Sequence, residues 1–378
     1  MKMKQIKYKT MKKFILIAAV AVAATAACTK TENIASPDVK IAFDVAKYSA
    51  QVKANMANND ELGGSFTTNA WFTNGDGDKM RFFRENETVS WNTPVANQWA
   101  PSRDYFWPKT GYVDFYSYDG TPAPTTVGEG SLIYTSKTIT ATDNILVADA
   151  AYRQTQNQQT YQIDGTQIKG VPTLFRHMLS KVKFTVKLAT TDEKKTPDTK
   201  WEVTILNTTA KPSNLVTLNK GTLTLSNSYS GTTATTQAWT NANSTKPLVG
   251  WVAETGTETI DFLTPATLVL QKNTISSGDP VSLLDVRTVL PHSLGNDDVF
   301  TIHYEVKATY DGDSAPYMVE TREKIEKLNV LVNSIVDWNM NQIITYNVII
   351  DPLTEKVLFD PAIEAWDETT SGDIDIHA

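Results

Sequence analysis

Along much of this chain, apolar and polar residues alternate one for one. Val182, Phe184, Val186 and Leu188 interleave with Lys181, Lys183, Thr185 and Lys187. In the same way Phe300, Ile302, Tyr304, Val306 and Ala308 interleave with Thr301, His303, Glu305, Lys307 and Thr309. Successive side chains of a strand point to opposite faces, so a period of two gives one dry and one wet face, whereas a helix requires a period of about 3.6. Shorter runs of the same kind are Ile41-Phe43-Val45, Trp201-Val203-Ile205 and Tyr346-Val348-Ile350. Turn-forming clusters separate the runs: Asn74-Gly75-Asp76-Gly77, Asp119-Gly120-Thr121-Pro122, Asp164-Gly165, Asn219-Lys220-Gly221 and Asp311-Gly312. Together they predict an all-β chain of antiparallel sheets packed on one face. Helical periodicity is rare. Arg322 to Val332 fits either one short helix or a charged strand.

The 378 residues are 41% apolar and 20% charged, enough for packed cores and too little for a protein of many membrane spans. At about 150 residues per domain the length suggests two domains. The polar run Thr190 to Asp198 reads as an interdomain linker or a long hairpin loop. Taking it as the linker gives one β-sandwich over 41–190 and a second over 199–378. No internal repeat of 20–50 residues is found.

The N-terminus reads as an address. Lys12-Lys13 precede an apolar run of 14 residues, Phe14 to Ala27, too short to span a bilayer comfortably but right for a signal peptide. The run ends in Thr25-Ala26-Ala27-Cys28, and Cys28 is the only cysteine. A plain secretory signal with an incidental cysteine would fit. Small residues directly before a lone cysteine favour a lipoprotein signal over residues 1–27, with Cys28 acylated and N-terminal after cleavage. Residues 28–40 then form a tether. Removing the signal takes six lysines and leaves 29 basic against 42 acidic groups, a surface that repels nucleic acid. One cysteine excludes a disulfide framework and any multi-cysteine metal site.

No catalytic constellation stands out, and the chain reads as a non-enzyme without cofactor or metal. Its four histidines, His177, His292, His303 and His377, form no HExxH pair, and there is no GxSxG elbow, Walker loop or GxGxxG. His303 falls on the wet face of a strand, and His177 is expected to pack or cap. Asn74, Asp76, Asp78 and Glu85 have the spacing of a calcium loop, but Lys79 stands where the sharp turn calls for glycine. A hairpin tip is the better reading. Trp91, Trp99, Tyr105 and Trp107 cluster with Pro94, Pro101 and Pro108. They could form a platform for sugar rings, or, as preferred here, plug the core of a sandwich.

Several blocks resemble the fimbrillin-like proteins, the type V pilus subunits of Bacteroidota. Tyr105-Phe106-Trp107-Pro108 followed by Gly111-Tyr112-Val113-Asp114-Phe115-Tyr116-Ser117-Tyr118 is the first. Asp143 to Ala148 is the second, and Val171 to Val182, with Leu174, Phe175, His177, Leu179, Ser180 and Lys181, the third. Leu290-Pro291-His292, Trp338 with Ile343 to Tyr346, and Trp366 follow in the family order. Asn339-Met340-Asn341 lacks the glycine usual after the first of those tryptophans.

The resemblance implies two transthyretin-like β-sandwich domains in a surface adhesin or pilus subunit, exported as a lipoprotein to the outer membrane and held there by its lipid anchor. In polymerising members an outer-membrane protease, often arginine-specific, removes the lipid and the first strand, and a neighbouring subunit's strand fills the groove. Partners would be other fimbrial subunits, joined by strand exchange, and a ligand on a host surface or a partner bacterium. Ile41-Phe43-Val45 has the alternation such a strand needs. No arginine precedes Arg81, so Lys47 and Lys53 are the nearest basic processing sites beyond it. Either a lysine-accepting protease acts there, or the strand is retained, as would suit an anchor. Asp313-Ser314-Ala315 resembles the short Asp-(Ser/Thr)-aliphatic motif that Bacteroidota use for O-glycosylation of exported proteins, with Ser314 as acceptor. A glycan-binding lipoprotein of a polysaccharide-uptake system is the alternative function, and a secreted hydrolase comes last.

Overall fold

The computed structural model describes residues 39–48, 53–55, 62, 64–92, 98–156, 160–163, 166–189, 199–211, 216–239, 251–256, 259–262, 268–273, 282–296, 298–328, 337–352 and 357–365. They hold 28 strands and no α-helix, so the all-β expectation is met. The ambiguous charged segment is the strand Met318–Lys327, paired with Val299–Tyr310 from Ala308↔Met318 to Val299↔Lys327. Ten consecutive ladder pairs to a neighbouring strand outweigh the weak helical preference of its Glu and Lys residues. From Ile41 on, the described residues form one compact unit.

Seven strands of the first body pair in a closed circuit. Tyr112–Thr121 pairs with Asn144–Ala148, which pairs with Val171–His177, which lies parallel to Phe43–Tyr48. That strand meets Gln98–Pro101, which pairs with Glu87–Asn92, then Ser65–Thr73, which returns to Tyr112–Thr121. The expected sandwich is thus closed on one side into a barrel-like ring, which leaves no free edge along the circuit. Phe43, Phe66, Phe83, Phe115, Phe175 and Trp99 fill it. The Phe43 ring lies 5.6 Å from Phe66 and 5.5 Å from Phe115, both edge to face, the favoured geometry for aromatic quadrupoles.

The other face of the Tyr112 strand carries Tyr116 and Tyr118. They pack with Trp71, Tyr134, Tyr152, Leu223, Leu225 and Trp239. A second sheet supplies part of this layer, in the order Trp251–Thr255, Val216–Ser226, Ser131–Thr138, Thr126–Gly128.

The second body is a sandwich. One sheet runs Ser282–Val289, Ser180–Leu188, Gln342–Ile350, Val357–Ala365, and the other Ile260–Asp261, Thr199–Lys211, Val299–Tyr310, Met318–Lys327, with Leu268–Asn273 also paired to Thr199–Lys211. The alternating residues named above are its core. Phe184 stacks on Phe300 at 4.2 Å and on Tyr346 at 4.8 Å. The bodies draw on strands from both sides of the 190–198 run, which itself lies outside the described residues. Ser180–Leu188 pairs in parallel with Gln342–Ile350, while Val216–Ser226 and Thr235–Gln237 pair with Ser131–Thr138 and Ala150–Gln154.

The blocks that carry the resemblance converge where the Val171 strand passes into Ser180–Leu188. Buried His177 shares a 2.6 Å hydrogen bond between Nδ1 and Asn144 Oδ1, and its N–H donates to Asn341 Oδ1. The Ser180 hydroxyl reaches the carbonyls of Trp338 and Asn339, and Trp338 Nε1 donates to the Tyr346 hydroxyl. Asn341 has φ +60°, the left-handed conformation that asparagine tolerates better than most residues. It stands in the loop where a glycine was expected, in a backbone conformation glycine would also adopt.

Candidate functional site: the inserted first strand

The strand Phe43–Tyr48 closes the ring. Its parallel ladder runs from Phe43↔Val171 to Lys47↔Phe175, and it meets Gln98–Pro101 at Phe43↔Trp99. A three-residue strand, Lys53–Asn55, folds back on its far half, from Ala46↔Asn55 to Tyr48↔Lys53. At its near end the Ile41 N–H donates to the Tyr105 carbonyl and the Val171 N–H to the Ala42 carbonyl, both at 2.8 Å. Alternation puts Ile41, Phe43 and Val45 inside at 2%, 2% and 1% exposure. Each such side chain contributes roughly 1.5–3 kcal/mol by burial.

Gly170 fits the strand's entry to the ring. With φ +138° it passes so close that a Cβ there would lie 2.8 Å from the Ala42 carbonyl oxygen. Only glycine combines that conformation with that approach.

The opposite face of the strand carries Asp44, half-buried beside Pro172. Burial alone pushes its carboxyl up to about 7, because a desolvated carboxylate disfavours its charged form. Removal of this strand would leave Val171–His177 and Gln98–Pro101 with unpaired backbone edges, and a slot against Phe66 and Phe115. That is the template into which an extended segment of another chain can add.

The processing candidates differ in backbone setting. Lys47 lies between two ladder partners, Phe175 and Ala54, whereas Lys53 belongs to the short flanking strand and pairs only with Tyr48. Cys28 lies outside the described residues. Ser314 lies in an exposed tip, residues 311–317, between Val299–Tyr310 and Met318–Lys327. Tyr310 and Tyr317 stack at 4.3 Å at the base of this tip.

The tryptophan cluster is turned inward. Trp99 is 2% and Trp107 7% exposed, Trp91 packs on Trp99 at 5.7 Å, and Tyr105 stacks on Phe83 at 4.0 Å. Residues 74–78 form a hairpin tip. Asn74 Oδ1 accepts the N–H groups of Asp76 and Asp78, so the side chain spaced like a calcium ligand organises its own turn. His303 is on the wet face, 3.1 Å from Glu323. Among the described residues no group of three His, Cys, Asp or Glu side chains is placed to hold a metal ion.

Sequence reading misses two features of this site. Closure of the ring depends on strand partners far apart in the chain, and the desolvation of Asp44 depends on what covers it. The one available hint is an acidic residue inside a short strand of small and apolar neighbours.

A family model described as fimbrillin-like matches residues 49–366, beginning directly after Tyr48 and covering most of the chain. The chain belongs to the fimbrillin-like family. Among solved structures, this fimbrillin-like protein is similar to a fimbrial protein from Bacteroides vulgatus, at 16% identity and a TM-score of 0.50, over 87% of this chain and 99% of that one. It is also similar to the fimbrial anchor protein Mfa2 from Porphyromonas gingivalis, at 10% identity and a TM-score of 0.26, over 87% and 98%. The first likeness bears on the fold alone. No curated protein matches this fimbrillin-like sequence.

Proposed function

We propose that this protein is a non-enzymatic fimbrial subunit or adhesin of the cell surface, assembled by exchange of its first strand. The observation that carries the reading is the place of Phe43–Tyr48: a strand at the start of the folded unit, lodged in an otherwise closed ring with its apolar row in the core. Excision and replacement of such a strand conserve the ladder and the pockets while joining two chains. Export as a lipoprotein, acylation of Cys28, anchorage to the outer membrane and display in a fimbrium belong to the same proposal. They are supported by the apolar run ending at Cys28 and by family membership.

Processing at Lys53 fits the proposal better than processing at Lys47, because a protease needs its substrate extended and out of a ladder, and Lys53 has the fewer bonds to give up. O-glycosylation at Ser314 is supported by the exposed tip that presents it. The division into domains 41–190 and 199–378 is also a proposal, and the strands drawn across it predict that the halves stay associated when the chain is cut between them. Inward-facing Trp99 and Trp107 withdraw support from a glycan platform at that cluster.

The assembly test uses purified unlipidated protein treated with a lysine-specific protease and followed by electron microscopy and N-terminal mass spectrometry. Loss of the first strand followed by filaments or ladders of oligomers is expected. Quantitative loss of the strand with the protein still monomeric contradicts a polymerising subunit.

A further inference from the structure

The strand Met318–Lys327 ends its sheet. Among the described residues it pairs with Val299–Tyr310 alone, over ten residues without a bulge. Just past its end the Leu328 N–H donates to the Asp298 carbonyl. In that register the backbone groups of even-numbered residues turn to Val299–Tyr310, and those of odd-numbered residues turn to the open edge. The odd-numbered side chains, Val319, Thr321, Glu323, Ile325 and Lys327, are all exposed. Val319 and Ile325 are each 54% exposed, although the same row of the neighbouring strand is Thr301, His303, Glu305 and Lys307.

An open edge of this length recruits other strands, and proteins commonly guard it with charges that point inward. Here the even-numbered row holds Glu320, Arg322, Lys324 and Glu326. Arg322 pairs with Glu320 at 2.7 Å and donates to the Pro352 carbonyl, and Lys324 pairs with Glu326 at 2.8 Å. The order acid, base, base, acid is symmetric about Glu323. A second copy laid antiparallel about Glu323 would therefore set Glu320 against Glu326 and Arg322 against Lys324.

Moving the two-fold axis by one residue, to Arg322, reverses this. Glu320 then faces Lys324 of the second copy, Val319 faces Ile325, and symmetry repeats both pairs. Residues directly opposite across an antiparallel ladder lie close enough for such pairs to interact. An axis at Thr321 sets Val319 against Glu323, and one at Lys324 sets Ile325 against Glu323. Only the axis at Arg322 matches the apolar row and the charged row together. Each Arg322 on that axis already has its own Glu320. The charges thus select one register and repel the neighbouring one.

We propose that Met318–Lys327 is an interface between two copies of this chain, paired antiparallel about a two-fold axis at Arg322. The contact leaves Phe43–Tyr48 in its ring and closes at two copies, whereas strand exchange is head-to-tail and open-ended.

The test is sedimentation equilibrium of the purified, unlipidated and unprocessed protein from about 1 µM to about 200 µM. A monomer–dimer equilibrium with Kd on the order of 10 µM is expected, without larger species. Glu320→Lys and Lys324→Glu each make both charged pairs repulsive, and each should weaken the dimer about tenfold or more. An equimolar mixture of the two variants restores opposite charges at both pairs and should recover the dimer. Thr321→Pro deletes an N–H that faces the open edge, so it should abolish the dimer with little change in the thermal midpoint. Should that variant fail to fold, the two charge variants and their mixture decide alone. A protein still monomeric at about 200 µM, a dimer that none of these variants weakens, or a mixture no more dimeric than its parts would overturn the proposal. Because the first strand stays in place throughout, the outcome is separate from that of the assembly test.

Discussion

Asp44 makes the first strand sensitive to pH. Its carboxyl titrates near 7 in the folded protein, against about 4 in an unfolded chain. A carboxyl raised on folding contributes stability that is fully present below the unfolded value and is lost as pH rises through the folded one. The strand is therefore held more firmly at pH 5 than at pH 8. Asp44→Asn should stabilise the protein at pH 8 by about 1–2 kcal/mol, allowing for the partial exposure of the site. It should also flatten the pH dependence of the urea midpoint between pH 4 and 7. An unchanged profile would mean that Asp44 keeps its solvent. Asn341 offers a second residue-scale check. Glycine would favour φ +60°, but the Asn341 side chain also accepts the buried His177 N–H. Asn341→Gly should accordingly lose about 1 kcal/mol in chemical denaturation despite the better backbone fit. Such residues show what a sequence conceals: the missing glycine is legible at once, whereas the hydrogen bond that favours asparagine spans 164 positions.

Strands were readable element by element; their partners were not. The alternation at Val182–Leu188 and Phe300–Ala308 predicts both strands and their dry faces, because burial on one side imposes period two on the sequence. Nothing local says that Ser180–Leu188 lies parallel to Gln342–Ile350, or that Phe43–Tyr48 lies parallel to Val171–His177. Nor does composition separate a helix from a strand at Met318–Lys327, where Arg322, Lys324 and Glu326 are half-buried while Ile325 is exposed. The tryptophan cluster was legible as core, since tryptophan is highly buried on average and brings a large apolar surface to a core. At this scale the flanking strand Lys53–Asn55 yields a prediction. Its pairing is three residues long and involves the first strand alone, so it should open before the rest of the ring. Limited digestion with a lysine-specific protease should cut at Lys53 ahead of Lys47, and Lys53→Gln should slow release of the first strand several-fold. Equal cutting at both would show that the whole hairpin opens as one.

Across the whole molecule, each body takes strands from both sides of the 190–198 run, and the described residues from Ile41 on cluster as a single compact unit. Calorimetry should find one cooperative transition, and cleavage within 190–198 should leave the fragments together on a sizing column. Two separated transitions would show domains that unfold independently. The central claim concerns the ring, where Phe43 and Val45 of the first strand, with Ile41 just before it, complete an aromatic core and Phe43 packs on Phe66, Phe83 and Phe115. Phe43→Ala should cost about 3–5 kcal/mol, read from urea unfolding. The most direct measurement is complementation: the chain beginning at Ala50 is titrated with a synthetic peptide spanning Val39 to Tyr48. The account predicts saturable one-to-one binding that raises the thermal midpoint by several degrees, and no binding by the same peptide carrying Phe43→Asp. A shortened chain that is as stable as the intact one and indifferent to both peptides would contradict it.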